Sequence, residues 1–571
     1  MLQIISGKFF GDGERYKFEG KGILYSNMSW IRAIETRVGT LEPVDTAGSE
    51  VSSYVLSYVN QIEKEPAGIV VRVGDPEIVE QFQLLCMIWF GAFFDGDKQN
   101  VIINCREKPT HAADYYVGSK FAKPFLSPER RITEEDETGF KRFMDKVIGL
   151  PRRDYLSVMS FLQTVSQALH ALRQNFDLAS SMLVYALESL GQGRSDYVPR
   201  WEDYDPKVRK RLDSVLDGLA PETSGAIRAA LLVDRQLQLR QRFLDFSVSH
   251  IPDGFFIEDA RQVQRPVRRS ELERALNNAY RARSKYVHEL LPVIEQLKAP
   301  GIAEGEVFEW ENMPYLTFNG LLRIAHTVLL DFVEGQPYLE EEEYDWVSEL
   351  PGRVTLKVAG QYWIWQHENF SRDRSAGWLS DFLSVWLQTL TTEEPVMPDL
   401  RPLLVKFESL LGGASVTQRA QMLTIHVLYN LRMAPKFQSP DHETVYRENE
   451  HLFDACRIET MVLKVLTGRE WPWDAEDCAR AHEAYAEGKF DKQGLLLPWS
   501  LEVAVMSYVA DKYREAGQED EFACWCRRAL LESAGKADWQ DHIRAVQEEG
   551  QDVDLNIFVR PSEETARHRD P

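Results

Sequence analysis

Arg283-Ser284-Lys285-Tyr286-Val287-His288 puts two chemically able side chains close together in the chain. A histidine titrates near neutral pH and can take or give a proton. An arginine stays charged and offers a planar fork of donors that matches phosphate or carboxylate oxygens. The element that must position them is a helix. Apolar residues recur at Leu272, Leu276 and Ala279, then at Tyr286 or Val287, Leu290, Ile294 and Leu297, with Arg283 in the stripe between them. The spacing predicts one helix from Ser270 to about Leu297, with Ser270 and Glu273 as a capping box at its start. A guanidinium on an apolar stripe must be paired, or must face a partner or a cleft. His288 lies five residues on, about 140° around an unbroken helix. Pro292 clashes with the carbonyl of His288 and predicts a kink there, across which, or across a dimer interface, the two side chains could meet.

The stretch Ala279-Tyr280-Arg281-Ala282-Arg283-Ser284-Lys285-Tyr286-Val287-His288 resembles the signature helix of HEPN domains (higher eukaryotes and prokaryotes nucleotide-binding). It is most similar to the Apea-like group, whose motif reads Arg, a small polar residue, Lys, apolar residues, then His. Upstream, Met182-Leu183-Val184-Tyr185-Ala186-Leu187-Glu188-Ser189-Leu190 resembles that group's early helix with a Glu near its end. The likeness covers roughly residues 150–335. It departs at Glu289, where the family often has Gly.

The resemblance implies an all-α HEPN bundle that cuts RNA. The ribose 2′-hydroxyl attacks its own adjacent phosphate, so the protein has only to move protons and stabilise charge on phosphorus, with no metal and no cofactor. His288 would move the proton and Arg283 would hold the phosphate oxygens, with Ser284 and Glu188 in supporting roles. Arg281 and Lys285 would hold flanking phosphates; with His288 they fall at i, i+4 and i+7 on one helix face. It also implies a homodimer in which two motifs build one site, and an anti-phage, abortive-infection effector set off by a phage-derived or host trigger. Two other readings stay open. One is a non-catalytic HEPN module for dimerisation or nucleotide binding in a defence or toxin–antitoxin complex. The other is a domain whose Tyr286 is modified by a nucleotidyltransferase partner.

Composition bounds these expectations. The chain has 571 residues, with 66 Lys and Arg against 89 Asp and Glu, a net charge of −23. Such a balance argues against a surface given over to nucleic acid. The charge is uneven, however: Arg261 to His288 holds eight cations and two acids, enough for a local RNA-sized patch. Six cysteines in so long a chain make no disulfide framework, which suits a cytoplasmic protein. Cys524 and Cys526 read as part of an amphipathic helix. Met1 to Lys8 lacks the charged start and long apolar core of a signal peptide, and the longest apolar run, Leu84–Phe94, is too short to span a bilayer. No phosphate-loop or dinucleotide fingerprint is present, and His442, Glu443, Glu448 and His451 lack metal-site spacing.

The expected architecture is multidomain and mainly α. Residues 1–148 read as an α+β sensing or docking domain. Its strands are expected at Ile4–Phe10, Tyr16–Ser26, Ala33–Val38, Ile69–Val73 and Val101–Cys105, and a helix is expected from Asp75-Pro76 into Leu84–Phe94. Residues 150–336 read as the all-α HEPN domain, closed by a helix at Leu316–Val333 in which His326 is a packed residue. Pro337 and Glu340–Glu343 mark a linker or an exposed loop. Residues 345–560 read as an all-α, repeat-like domain rich in tryptophan (Trp363, Trp365, Trp378, Trp386), with one tetratricopeptide-like helix pair around Ser507–Leu531. Residues 561–571 read as a disordered tail.

Overall fold

The computed structural model describes residues 1–44, 51–63, 74–106, 116–194, 197–198, 200–204, 206–232, 235–349, 358–392 and 396–559. The expected strand at Ile69–Val73 and the tail 561–571 lie outside them. The chain is mainly helical, with a small sheet region near its N-terminus. It divides into two compact units, Met1–Arg353 and Val354–Pro571.

In the first unit a five-stranded antiparallel sheet runs in the order Ile34–Thr36, Gly39–Val44, Ser52–Glu63, Arg15–Ser26, Phe94–Asp95. Its centre is one long pairing, Arg15 opposite Glu63 through Ser26 opposite Ser52. Tyr54, Leu56, Tyr58, Asn60 and Ile62 alternate inward, the period-two signature of a half-buried strand, and this strand was missed in the sequence. The helix Asp75–Phe90 packs behind it, with Pro76 in its first turn, and ends at Gly91, whose φ of 55° suits a residue without Cβ.

Two expectations for this region are corrected. Ile4–Phe10 is not a strand: Leu2–Ile5 forms a helical turn, and Leu2, Ile4 and Ile5 are all buried, so the apolar run carries no period to separate strand from helix. Val101–Cys105 is not a strand either. It falls in the helix Lys98–Asn104, where Asp97 caps the amide of Gln99 at 2.8 Å and local capping overrides β-branched content. One hydrophobic core runs from Leu2 to Trp346, through both 1–148 and 150–336.

The segment expected to be all-α contains a β-hairpin, Val307–Trp310 with Met313–Leu316. Its two-residue turn, Glu311-Asn312, has φ values of 51° and 61°, the left-handed geometry that matches strand twist. The acidic stretch after Pro337 is an exposed loop, as expected, but it is tied back onto the first unit as a strap. Glu340 pairs with Arg37 at 2.6 Å, Glu342 lies 3.4 Å from the fully buried Lys8, and Trp346 belongs to the core.

The second unit is helical, with its own core from Ile364 to Val559. Trp378 and Trp386 are buried in it, whereas Trp365 is exposed. The helices Trp499–Glu515 and Glu519–Glu532 pack as a pair about Gly517, whose φ is 70°, and Cys524 and Cys526 sit in the second of them. Among the described residues, no helix is long and apolar enough to cross a membrane.

Candidate functional site

The motif helix spans Arg269–Glu289. It starts one residue before the expected Ser270, and its N-terminal carboxylate is Glu271, not Glu273: Glu271 accepts from the Arg268 amide at 2.9 Å and from its guanidinium at 2.6 Å. The helix stops well short of Leu297. Leu290 closes it in the left-handed conformation, φ 55°, with its amide bonded to the Tyr286 carbonyl. Pro292 therefore follows a finished helix instead of kinking one. The stripe Leu272, Leu276, Ala279, Arg283 is real, while Ile294 and Leu297 belong to the segment after it.

Arg283 sits half-buried and paired. Its Nη2 lies 3.1 Å from Glu188 Oε2, and its Cζ lies 5.9 Å from the centre of the Tyr185 ring. Both partners come from the helix Phe176–Gly191, the Glu-bearing element read from sequence. Burial raises the Glu188 carboxyl above its ordinary range, against the opposing pull of Arg283 and the Tyr280 hydroxyl. The same helix contact raises Tyr280, first by burial and then by the Glu188 charge. The ion pair leaves polar capacity unused: Arg283 Nε and Glu188 Oε2 are buried and have no hydrogen-bond partner in the protein.

His288 is exposed at the end of the motif helix. Arg283 and His288 point to different sides of one unbroken helix, yet both line one cleft of about 1110 Å³, together with Ser284, Arg281, Lys285 and Glu188. All six residues singled out from the sequence thus meet in one place. Arg240 of the helix Arg235–Ser249, Tyr280, and Met313 and Tyr315 of the hairpin also line it. Sequence reading missed Arg240 and the hairpin because both are far from the motif in the chain. The one available signal was the alternation in Val307–Trp310 and Met313–Leu316 about an Asn-containing pair.

Five cations or protonatable bases against one paired carboxylate make the cleft anion-attracting. It offers donors for phosphate or carboxylate oxygens and an accessible imidazole, the equipment for binding a polyanion and moving a proton beside it. Tyr286 is half-buried, with its hydroxyl accepting from Asn175 Nδ2 at 3.3 Å. His326 is packed, as expected: it lies edge-on to Phe125, and burial pushes its imidazole down to about 4. Among the described residues no group of three or more His, Cys, Asp and Glu is placed to hold a metal.

Compared with protein-family models, with curated proteins and with solved structures, the chain matches none.

Proposed function

We infer that the first unit is a metal-independent HEPN-type endoribonuclease whose site is the cleft on the motif helix. The observation that carries the reading is the convergence of Arg283, Ser284, Lys285, Arg281, His288 and Glu188 on that one cleft. In the reaction the ribose 2′-oxygen attacks the adjacent phosphorus and the bond to the 5′-oxygen breaks, leaving a 2′,3′-cyclic phosphate and a 5′-hydroxyl. His288 takes the 2′-hydroxyl proton or gives one to the leaving oxygen. Arg283, steered by Glu188, turns its unused Nε–H toward the phosphate, where charge grows. Arg281 and Lys285 hold the phosphates on either side. A second copy supplies the complementary motif, and exposed Val287, Leu290 and Leu291 beside His288 offer an apolar surface for it. A triggered role in anti-phage defence within the cytoplasm follows from the family likeness, with the trigger held by parts of the chain outside this cleft.

The second reading, a non-catalytic HEPN module for dimerisation or nucleotide binding, is favoured by the Arg283–Glu188 ion pair itself, since an arginine already neutralised within one copy has a structural task. The two separate in one assay. The purified chain is incubated with RNA in the presence of a metal chelator, and product ends are analysed. Cleavage to 2′,3′-cyclic phosphate ends is expected, lost when the attacking ribose is 2′-deoxy. It is expected to fall at least about a hundredfold in Arg283→Ala and in His288→Ala. Equal cleavage by all three proteins sinks the assignment.

A further inference from the structure

Arg274, Asn278, Arg281, Lys285 and His288 follow one another at steps of four, three, four and three, so they share a single face of the motif helix. That face extends beyond the cleft that holds the motif. At its N-terminal half it enters a second recess of about 710 Å³, lined by Arg268, Arg274 and Glu271 together with Phe308, Glu309 and Pro314 of the hairpin. Between the two recesses the hairpin is tied to the helix by Asn278, whose Nδ2 donates to the Pro314 carbonyl at 2.8 Å. Arg274, Lys285 and His288 form no ion pair among the described residues. Phe308 and Trp310 lie with ring planes 21° apart and centres 6.2 Å apart, and Trp310 is 39% exposed on the hairpin.

We propose that the motif-helix face is a rail for single-stranded RNA, with the Arg274 recess and the Trp310 hairpin forming a second contact site several nucleotides from the reacting phosphate. The proposal rests on the ribonuclease reading above and adds where the substrate runs. From Arg274 to His288 the helix rises about 21 Å at 1.5 Å per residue, a span that outreaches a dinucleotide. Cations along the rail follow a phosphate backbone, and an exposed indole on a rigid two-strand element stacks on a base of any identity. A duplex fits poorly, because its bases are already stacked on each other and have no free face for Trp310. The part-buried Asn278–Pro314 bond holds the hairpin at a fixed distance from the helix, so the two recesses keep their spacing.

The probes are 2′-O-methylated single strands of about four and about twelve nucleotides, which the 2′-hydroxyl route cannot cleave, followed by fluorescence anisotropy across a salt series. Arg274→Ala and Trp310→Ala are each expected to weaken the longer strand about tenfold and to leave the shorter strand bound as in wild type. Arg274→Ala also flattens the salt dependence by about one counterion, and Arg274→Lys restores it. Both positions are exposed, so folding is not at stake, and a circular dichroism spectrum checks this. If Arg281→Ala weakens binding while Arg274→Ala and Trp310→Ala stay within about twofold of wild type, the rail is overturned and RNA binding at the motif stands. If wild type binds neither strand even at the lowest salt of the series, the rail and the reading beneath it both fall.

Discussion

At the scale of single residues the account turns on how charges are compensated. Arg283 is held by Glu188 and Tyr185 on a neighbouring helix, which answers the question its place on an apolar stripe raises. A second charged pair shows what pH does to the fold. His170 Nε2 lies 2.7 Å from Asp95 Oδ2, and its Nδ1 lies 2.8 Å from the Ser166 carbonyl. Burial opposes the imidazolium, but the carboxylate and the carbonyl outweigh it, and His170 is raised above its ordinary value. Burial likewise opposes ionised Asp95, and donation from His170, the Asp97 amide and Asn100 lowers it all the same. The stabilisation from His170 is therefore complete below the unfolded imidazole value and fades as pH rises through the raised one. That from Asp95 is present above the unfolded carboxyl value and fades as pH falls through the lowered one. Thermal melts of wild type and Asp95→Asn should differ most between the two unfolded values, by roughly 1 kcal/mol after allowance for partial exposure, and the difference should narrow as pH rises through the raised imidazole value. A pH-independent difference would place the effect in packing instead.

At the scale of elements, the strap after Pro337 is the clearest gain of structure over sequence. Glu342 sits beside Lys8, whose side chain is fully buried and whose ammonium burial pushes down in pKa despite the carboxylate. Glu342 also accepts from the Arg152 amide at 3.0 Å. Removing one partner of such a pair leaves a buried charge uncompensated. Glu342→Gln is expected to cost roughly 3 kcal/mol in chemical denaturation, and Lys8→Met with Glu342→Gln to recover most of it. For the same reason a chain ending at Arg353 should melt cooperatively, and one ending at 336 should not, because it lacks Glu342, Tyr344 and Trp346. A run of four acids followed by aromatics looks like linker in the sequence because nothing local reveals the lysine it neutralises more than three hundred residues away. The motif helix, the Glu188 helix and the strands at Arg15–Ser26 and Ile34–Thr36 could be read from period and composition. Leu2–Ile5 and Lys98–Asn104 could not, since short apolar or β-branched runs suit either state until capping and burial decide. The six cleft-lining residues of the candidate site were legible as a group because they lie in two contiguous segments, whereas Arg240 and the hairpin reach the cleft only through tertiary packing.

At the scale of the whole molecule the net charge of −23 sets the context for the basic face of the motif helix. Acidic surroundings raise the cost of approach for bulk RNA, so affinity at moderate salt is expected to be weak until the protein is triggered. The exposed Val287, Leu290 and Leu291 lie beside the catalytic histidine of the proposal, where a second copy would complete the site. Sedimentation velocity is expected to show a dimer. Val287→Glu with Leu291→Glu is expected to shift it to monomer, at least tenfold weaker in self-association, with cleavage falling in parallel. A wild-type monomer that cuts RNA would contradict the two-copy site. The most direct test of the central claim is total RNA from bacterial cells carrying the wild-type chain, Arg283→Ala or His288→Ala, sampled before and after phage challenge. The account expects RNA cleavage and protection of the culture only with both residues intact. Protection that persists unchanged in both variants would contradict it and assign the motif helix a structural role.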